Sequence, residues 1–267
     1  MTDAAQQAAR AANSSRPLEL LARGGYAASG VVHLLLGALV VGVTFGGRGQ
    51  TDQSGAFRTI ATAPWGMALL WVLAVLLVAL GLYHLVQCFV SRGGSAADRW
   101  KDRASHAGQA VVFAALGEAA ATVALGTRPN GDRSAQTASR DVLSLSGGPL
   151  LLGLLAAGVV IGGIAFAAMG ARRSFLKKVD LPGGRVGSAV TVLGVVGYVA
   201  KGGALAIVGA LLVVAAVKAD PEQAGGLDAA VHTLLGLPFG QALVACAGIG
   251  FASYGVYLFF RARYAKL

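Results

Sequence analysis

Six uninterrupted apolar runs, near 25–45, 65–90, 105–126, 148–170, 189–217 and 238–260, alternate along the chain with short polar, basic or glycine-rich segments. Each is long enough for an α-helix to cross a hydrocarbon core of about 30 Å, which takes roughly 20 residues. The runs are continuous and rich in Ala, Leu and Gly. They therefore predict membrane-spanning helices and not the short alternating strands of a membrane barrel.

The runs come in pairs, and the pairs repeat. GYAASGVVHLLLG at 25–37, SHAGQAVVFAALG at 105–117 and GYVAKGGALAIVG at 197–209 open the first, third and fifth runs. In each copy a ring (Tyr26, His106, Tyr198) is followed eleven residues later by a glycine (Gly37, Gly117, Gly209). Three residues after the ring stands a polar side chain: Ser29, Gln109 or Lys201. After the first span, Ala56, Phe57, Ile60 and Ala61 fall at helical spacing, which predicts a short amphipathic helix on the membrane surface. Pro64-Trp65-Gly66 then matches Pro238-Phe239-Gly240, with Tyr83 and Tyr257 nineteen residues after the prolines. The second copy has Gly147 in place of the proline and Phe166 in place of the tyrosine.

The predicted organisation is a polar tail over 1–17 and three repeats, 18–92, 100–173 and 186–263, of two spans each. An even number of spans brings every repeat into the membrane in the same sense, so one axis along the membrane normal can relate all three. The expected fold is an all-α integral membrane protein: six transmembrane helices as three same-sense helix-hairpin repeats in a pseudo-threefold bundle. Gly42 with Gly46, and Gly158 with Gly162, have the small-xxx-small spacing that allows close backbone approach. Gly202-Gly203, beside Lys201, is a point at which the fifth helix is expected to loosen.

Composition strengthens this picture. The chain is 55% hydrophobic and only 13% charged, with a mean hydropathy of +0.66; soluble domains are usually about one quarter charged. The start lacks a basic region followed directly by an apolar core, so the first helix is expected to serve as its own insertion signal. Fifteen Lys and Arg lie in the tail, the loops around 91–104 and 171–187, and the C-terminal end, against six in the other three loops. Basic short segments resist translocation, which places both termini in the cytoplasm. Anionic membrane lipids are the expected partners of those loops. Nucleic acid is not, because the loops are too short to build a base-stacking surface. Cys88 and Cys246 differ in depth by roughly 24 Å, beyond disulfide reach, and read as small buried hydrophobes.

The candidate chemistry is intramembrane. An ionisable group there costs about 2.5–3.5 kcal/mol and is a functional candidate by default. Lys201 lies sixteen residues from the outer end of its helix at Val217, roughly 24 Å down the core. From that depth its ammonium either extends to the inner interface or faces a cavity. Ser29, Gln109 and Lys201 are the candidate polar ring or solute contact around the axis, the alternative being plain inter-helix hydrogen bonds. Glu118 and His33 are the candidate intramembrane proton or ion site. Their alternatives are a protonated Glu118 bonded between helices, a Glu118 at an interface to another protein, and a packing histidine. Nine steps of about 100° put Gln109 and Glu118 on opposite faces of one helix, so they cannot both line one path. There is no HExxH, paired CxxC, histidine cluster or Walker loop. No catalytic residue, metal or cofactor is expected, and an enzyme is the weakest class.

The three-hairpin plan, the glycine-tyrosine openings, and the loop helix closing on PWG at 64–66 and PFG at 238–240 resemble a bacterial membrane-protein family. That family is catalogued as domain of unknown function 1206, and the resemblance covers about 18–263. It implies six membrane helices in three pairs in the bacterial plasma (inner) membrane, and it brings no established activity. The plan is also similar in architecture to the mitochondrial carriers, whose proline and charged-pair signature is absent here. Two functions remain. One is transport or conduction of a small solute or ion along the axis; the other is a non-catalytic scaffold or accessory subunit of a larger membrane complex.

Overall fold

The computed structural model describes residues 16–47, 49–90 and 96–266; most of the polar tail expected over 1–17 lies outside them. The six apolar runs form α1 (Arg16–Thr44), α3 (Gly66–Val90), α4 (Ala96–Ala124), α6 (Gly148–Ala171), α7 (Gly184–Lys218) and α9 (Gly240–Tyr264). All six are long and apolar enough to cross a membrane. Each hairpin carries a short helix on the face away from the termini: α2 (Gln53–Ala61), α5 (Gly131–Leu143) and α8 (Leu227–Leu235). The expected loosening at Gly202-Gly203 does not occur, and α7 runs through both glycines unbroken.

Packing between repeats follows a threefold rule. Each odd span rests on the even span of the preceding repeat: α4 on α3, α7 on α6, and α1 on α9. The glycine that ends each repeated stretch is the cause. A Cβ on Gly37 would lie 2.6 Å from the Gly248 carbonyl oxygen, one on Gly117 2.6 Å from Val78 Cγ2, and one on Gly209 2.9 Å from the Val160 nitrogen. A second layer pairs Gly30 with Gly255, Gly81 with Ala110 and Gly163 with Gly202. In lipid, where no hydrophobic effect drives helices together, such close approach supplies the packing energy. Gly42, Gly46, Gly158 and Gly162 have nothing within 4 Å of a built Cβ. Their small-xxx-small spacing is therefore not used, which corrects the expectation.

The entries to the even spans fix the register of the second copy. Trp65, Gly147 and Phe239 all adopt the left-handed conformation, at φ 63°, 78° and 61°. Each precedes a buried glycine (Gly66, Gly148, Gly240) pressed on a carbonyl of its own surface helix. Gly147 thus matches the aromatic residues, and Ser146 stands where the prolines are. The expected alignment of the second copy was one residue out: Phe166 corresponds to His84, not Tyr83.

On the face carrying the short helices, three aspartates, one from each repeat, tie the repeats in a cycle. Asp52 Oδ2 accepts from the Gly131 amide at 3.0 Å, Asp132 Oδ1 from the Gly226 amide at 2.6 Å, and Asp228 Oδ1 from the Thr51 amide at 2.7 Å. Asp52 also caps α2 through the Gly55 amide at 2.8 Å. Burial pushes the Asp52 carboxyl above its ordinary range and the two neighbouring aspartates add to this, while the Gly55 and Gly131 amides pull it back.

The spans form a ring with one break. Among the described residues, extensive interfaces join α1 to α3, α3 to α4, α6 to α7, α7 to α9 and α9 to α1, whereas α4 and α6 share no extensive one. The cause lies inside the hairpins. In the first repeat Leu80 fills the hollow at Gly25, and in the third Tyr254 fills the hollow at Gly197. The second repeat has Ser105 where the hollow should be and Gly162 where the filling side chain should be. With neither knob nor hole, its two spans stand apart, and α6 is the least buried of the six.

Candidate functional site

The half of the ring nearer the termini holds a cluster of tyrosines around one arginine. Arg261, in the last turn of α9, is only 8% exposed. Its Nη1 donates to the Tyr198 hydroxyl at 3.3 Å and its Nη2 to the Tyr26 hydroxyl at 3.2 Å. The guanidinium also sits 4.4 Å from the Tyr26 ring centroid, a distance at which the ring quadrupole attracts a cation. Tyr26 and Tyr198 are two of the three repeated rings. The third, His106, turns instead to His84, with Nδ1 to Nδ1 at 3.0 Å, and Phe113 stacks on His84 at 5.5 Å. Phe175, from a 3₁₀ turn at Ser174–Lys178, closes the cluster by stacking on Tyr198 at 5.0 Å.

One turn deeper along α7 lies Lys201. Its Nζ is 3.4 Å from His33 Nε2, and it sits 4.8 Å from the Tyr254 ring centroid and 5.4 Å from that of Phe166. His33 Nδ1 lies 2.7 Å from the Ser29 carbonyl oxygen. A ring nitrogen this close to a carbonyl carries the proton, which leaves Nε2 as the acceptor facing Lys201. The structure therefore brings Ser29, His33 and Lys201 together. Gln109 is not joined to them and bonds within its own helix, to the Ser105 carbonyl at 3.2 Å. Glu118 is on an exposed part of α4, away from this group. Cys88 is half-buried and Cys246 exposed, so neither is the buried hydrophobe expected.

The electrostatics of the cluster are one-sided. Ion pairs join Arg23 to Glu19 and Lys266 to Asp180, and His232 Nε2 lies 3.9 Å from Asp228 Oδ2. Among the described residues, neither Lys201 nor Arg261 is ion-paired with a carboxylate. Two buried polar atoms of the cluster, Arg261 Nε and His84 Nε2, have no hydrogen-bond partner among the described residues. Each such group costs about 1–3 kcal/mol when left unmade. Two cations lined by aromatic rings, with donor capacity unspent, are suited chemically to holding an anion.

Arg261 was not among the candidates from the sequence, because a basic residue in the last turn of a span reads as a flanking charge. The repeat alignment carried a signal: Arg261 occupies the position of Gln87, whose Nε2 donates to the Tyr83 hydroxyl at 2.9 Å. The repeated ring itself, and not the residue three places on, is the element that meets the cation.

A family model described as Domain of Unknown Function (DUF1206) matches the chain three times, over 24–90, 104–173 and 196–265. Each match spans one hairpin. An uncharacterized protein, YxxB of Bacillus subtilis (strain 168), is 26% identical over 249 residues, which is 91% of this chain and 90% of that protein. No solved structure matches the chain.

Proposed function

We propose a transport role for this chain, which belongs to the Domain of Unknown Function (DUF1206) family and carries its hairpin three times: it moves a small anionic solute or ion across the membrane. The observation that carries this reading is the pair of cations, Lys201 and Arg261, inside the ring, with no carboxylate paired to either among the described residues. A charge kept in a membrane interior at a cost of several kcal/mol, with no counter-charge among those residues, is a charge reserved for something else. The aspartate cycle draws the surface loops together across the axis at one end. In this reading it is the barrier opposite the cationic site. The reading places both termini in the cytoplasm of a bacterial plasma membrane, on the imbalance of Lys and Arg between the two faces, with anionic lipids against the basic loops.

A non-catalytic scaffold or accessory subunit is the second reading, and one observation favours it: the unpacked interface between α4 and α6. Flux separates the two. Purified protein in liposomes under an imposed potential is expected to pass at least one of halide, nitrate or a short-chain carboxylate, with little passage of sodium or potassium. Lys201→Gln is expected to lower that flux about tenfold, the equivalent of about 1.4 kcal/mol, with an unchanged melting temperature. No flux of any of these ions from folded protein, or flux of cations alone, would overturn small-anion transport.

A further inference from the structure

We infer that the seam between α4 and α6 admits, from the side, an anionic amphiphile such as a long-chain carboxylate, its headgroup at Lys201 and Arg261 and its chain along the seam. This rests on the anion reading above and names the substrate class. Among the described residues the two spans share no extensive interface, yet both abut the same tyrosine-rich core, α4 through Phe113 and α6 through Phe166, each half-buried. Phe166 is also the ring beside which the Lys201 ammonium lies. The break in the ring therefore leads from the lipid to the cation.

Charge decides between occupants. The cations lie toward the termini, where Arg261 closes α9 and Lys201 stands sixteen residues from the far end of its run at Val217. Beyond Lys201 the spans that bound the seam are apolar apart from the exposed Glu118 of α4, and its far end is tied off by three carboxylates, which repel an anion. A site with positive charge and unspent donors at one end and hydrocarbon along the rest matches an amphiphile oriented one way only. A water-soluble anion would gain nothing from the apolar part. An acyl chain gains wherever it replaces water or an unfilled gap between the two spans. A transmembrane helix of a partner would also cover the seam, but it would leave both cations unmatched unless it carried its own carboxylate.

The test uses the full chain in detergent micelles or nanodiscs, with Trp65, Trp71 and Trp100 changed to Phe and a single reporter at Phe166→Trp. Phe113→Trp, on the opposite lip, is a second reporter should the first fail to fold. The probes are dibromostearate, its methyl ester and iodide, all quenchers of tryptophan. The expected result is saturable quenching by dibromostearate, competed by unbrominated stearate, at least about tenfold weaker for the methyl ester, and weakened similarly by Lys201→Gln. Equal quenching by acid and ester would overturn the inference, because the seam would then hold any lipid. Quenching by iodide that stearate does not compete would also overturn it and leave the small-anion reading standing. If neither anion quenches in a saturable way while both reporters are folded, the amphiphile and the anion site fall together. A co-purifying transmembrane partner that abolishes stearate quenching in both reporters would overturn it in favour of the scaffold.

Discussion

Gly37→Leu is expected to destroy the folded protein, whereas Gly42→Leu, five residues further along the same helix, is expected to leave it intact. At Gly37 the added side chain meets backbone: the Gly248 carbonyl oxygen and the Ala252 nitrogen would both lie 2.6 Å from the first carbon. Neither can rotate away, so α1 must separate from α9. Overpacking where neighbours can shift costs about 1–3 kcal/mol; against backbone the loss exceeds that range and approaches the whole stability of a typical domain, about 5–15 kcal/mol. At Gly42 nothing lies within 4 Å. Size-exclusion elution and thermal melting in detergent check both variants. A folded, normally eluting Gly37→Leu protein would mean that the contact between α1 and α9 is not a backbone contact.

The second large effect concerns the arginine and its tyrosines. Tyr26→Phe combined with Tyr198→Phe removes both hydroxyls that accept from Arg261 and leaves two donors of a buried guanidinium unpaired, at a cost of about 1.5–3 kcal/mol for each bond to a charged group. Adding Arg261→Met to the double variant removes the charge as well, and is expected to restore most of the stability, because an apolar residue of similar length needs no partners. Melting temperatures of the four proteins in such a cycle isolate the coupling. Arg261→Met alone should melt close to the parent yet lose anion flux. If the double phenylalanine variant melts normally, the guanidinium is not held by the tyrosines.

Much of this arrangement can be read from residues. The six spans were legible because hydrophobic length is a strong signal, and the three hairpins because the ring-to-glycine spacing recurs at Tyr26 and Gly37, His106 and Gly117, Tyr198 and Gly209. The role of those glycines followed from the demand for close packing in lipid. The second copy was read one place out because Ser146-Gly147-Gly148 has neither proline nor aromatic residue to mark the turn. That slip hid the seam, since only the corrected register places Gly162 opposite Ser105 as the failed counterparts of Leu80 with Gly25. Arg261 was missed for another reason. Position near a helix end does not distinguish a solvated charge from one folded back under a tyrosine ring. The aspartate cycle was hidden because each carboxylate meets a backbone amide of another repeat, and an amide leaves no mark in a sequence.

Accessibility of the Lys201 position to charged thiol reagents tests the anion reading most directly. With Cys88 and Cys246 changed to Ala and Lys201 to Cys, the cysteine is treated with a sulfonate-bearing and an ammonium-bearing methanethiosulfonate of similar size. The thiolate is the reacting form, so both reagents report on the same exposed group. Labelling by the anionic reagent is expected to be at least about tenfold faster than by the cationic one, because Arg261 remains to attract it, and that preference is expected to be lost when Arg261→Met is added. Equal rates, a preference for the cationic reagent, or no labelling by either in folded protein would contradict the anion reading.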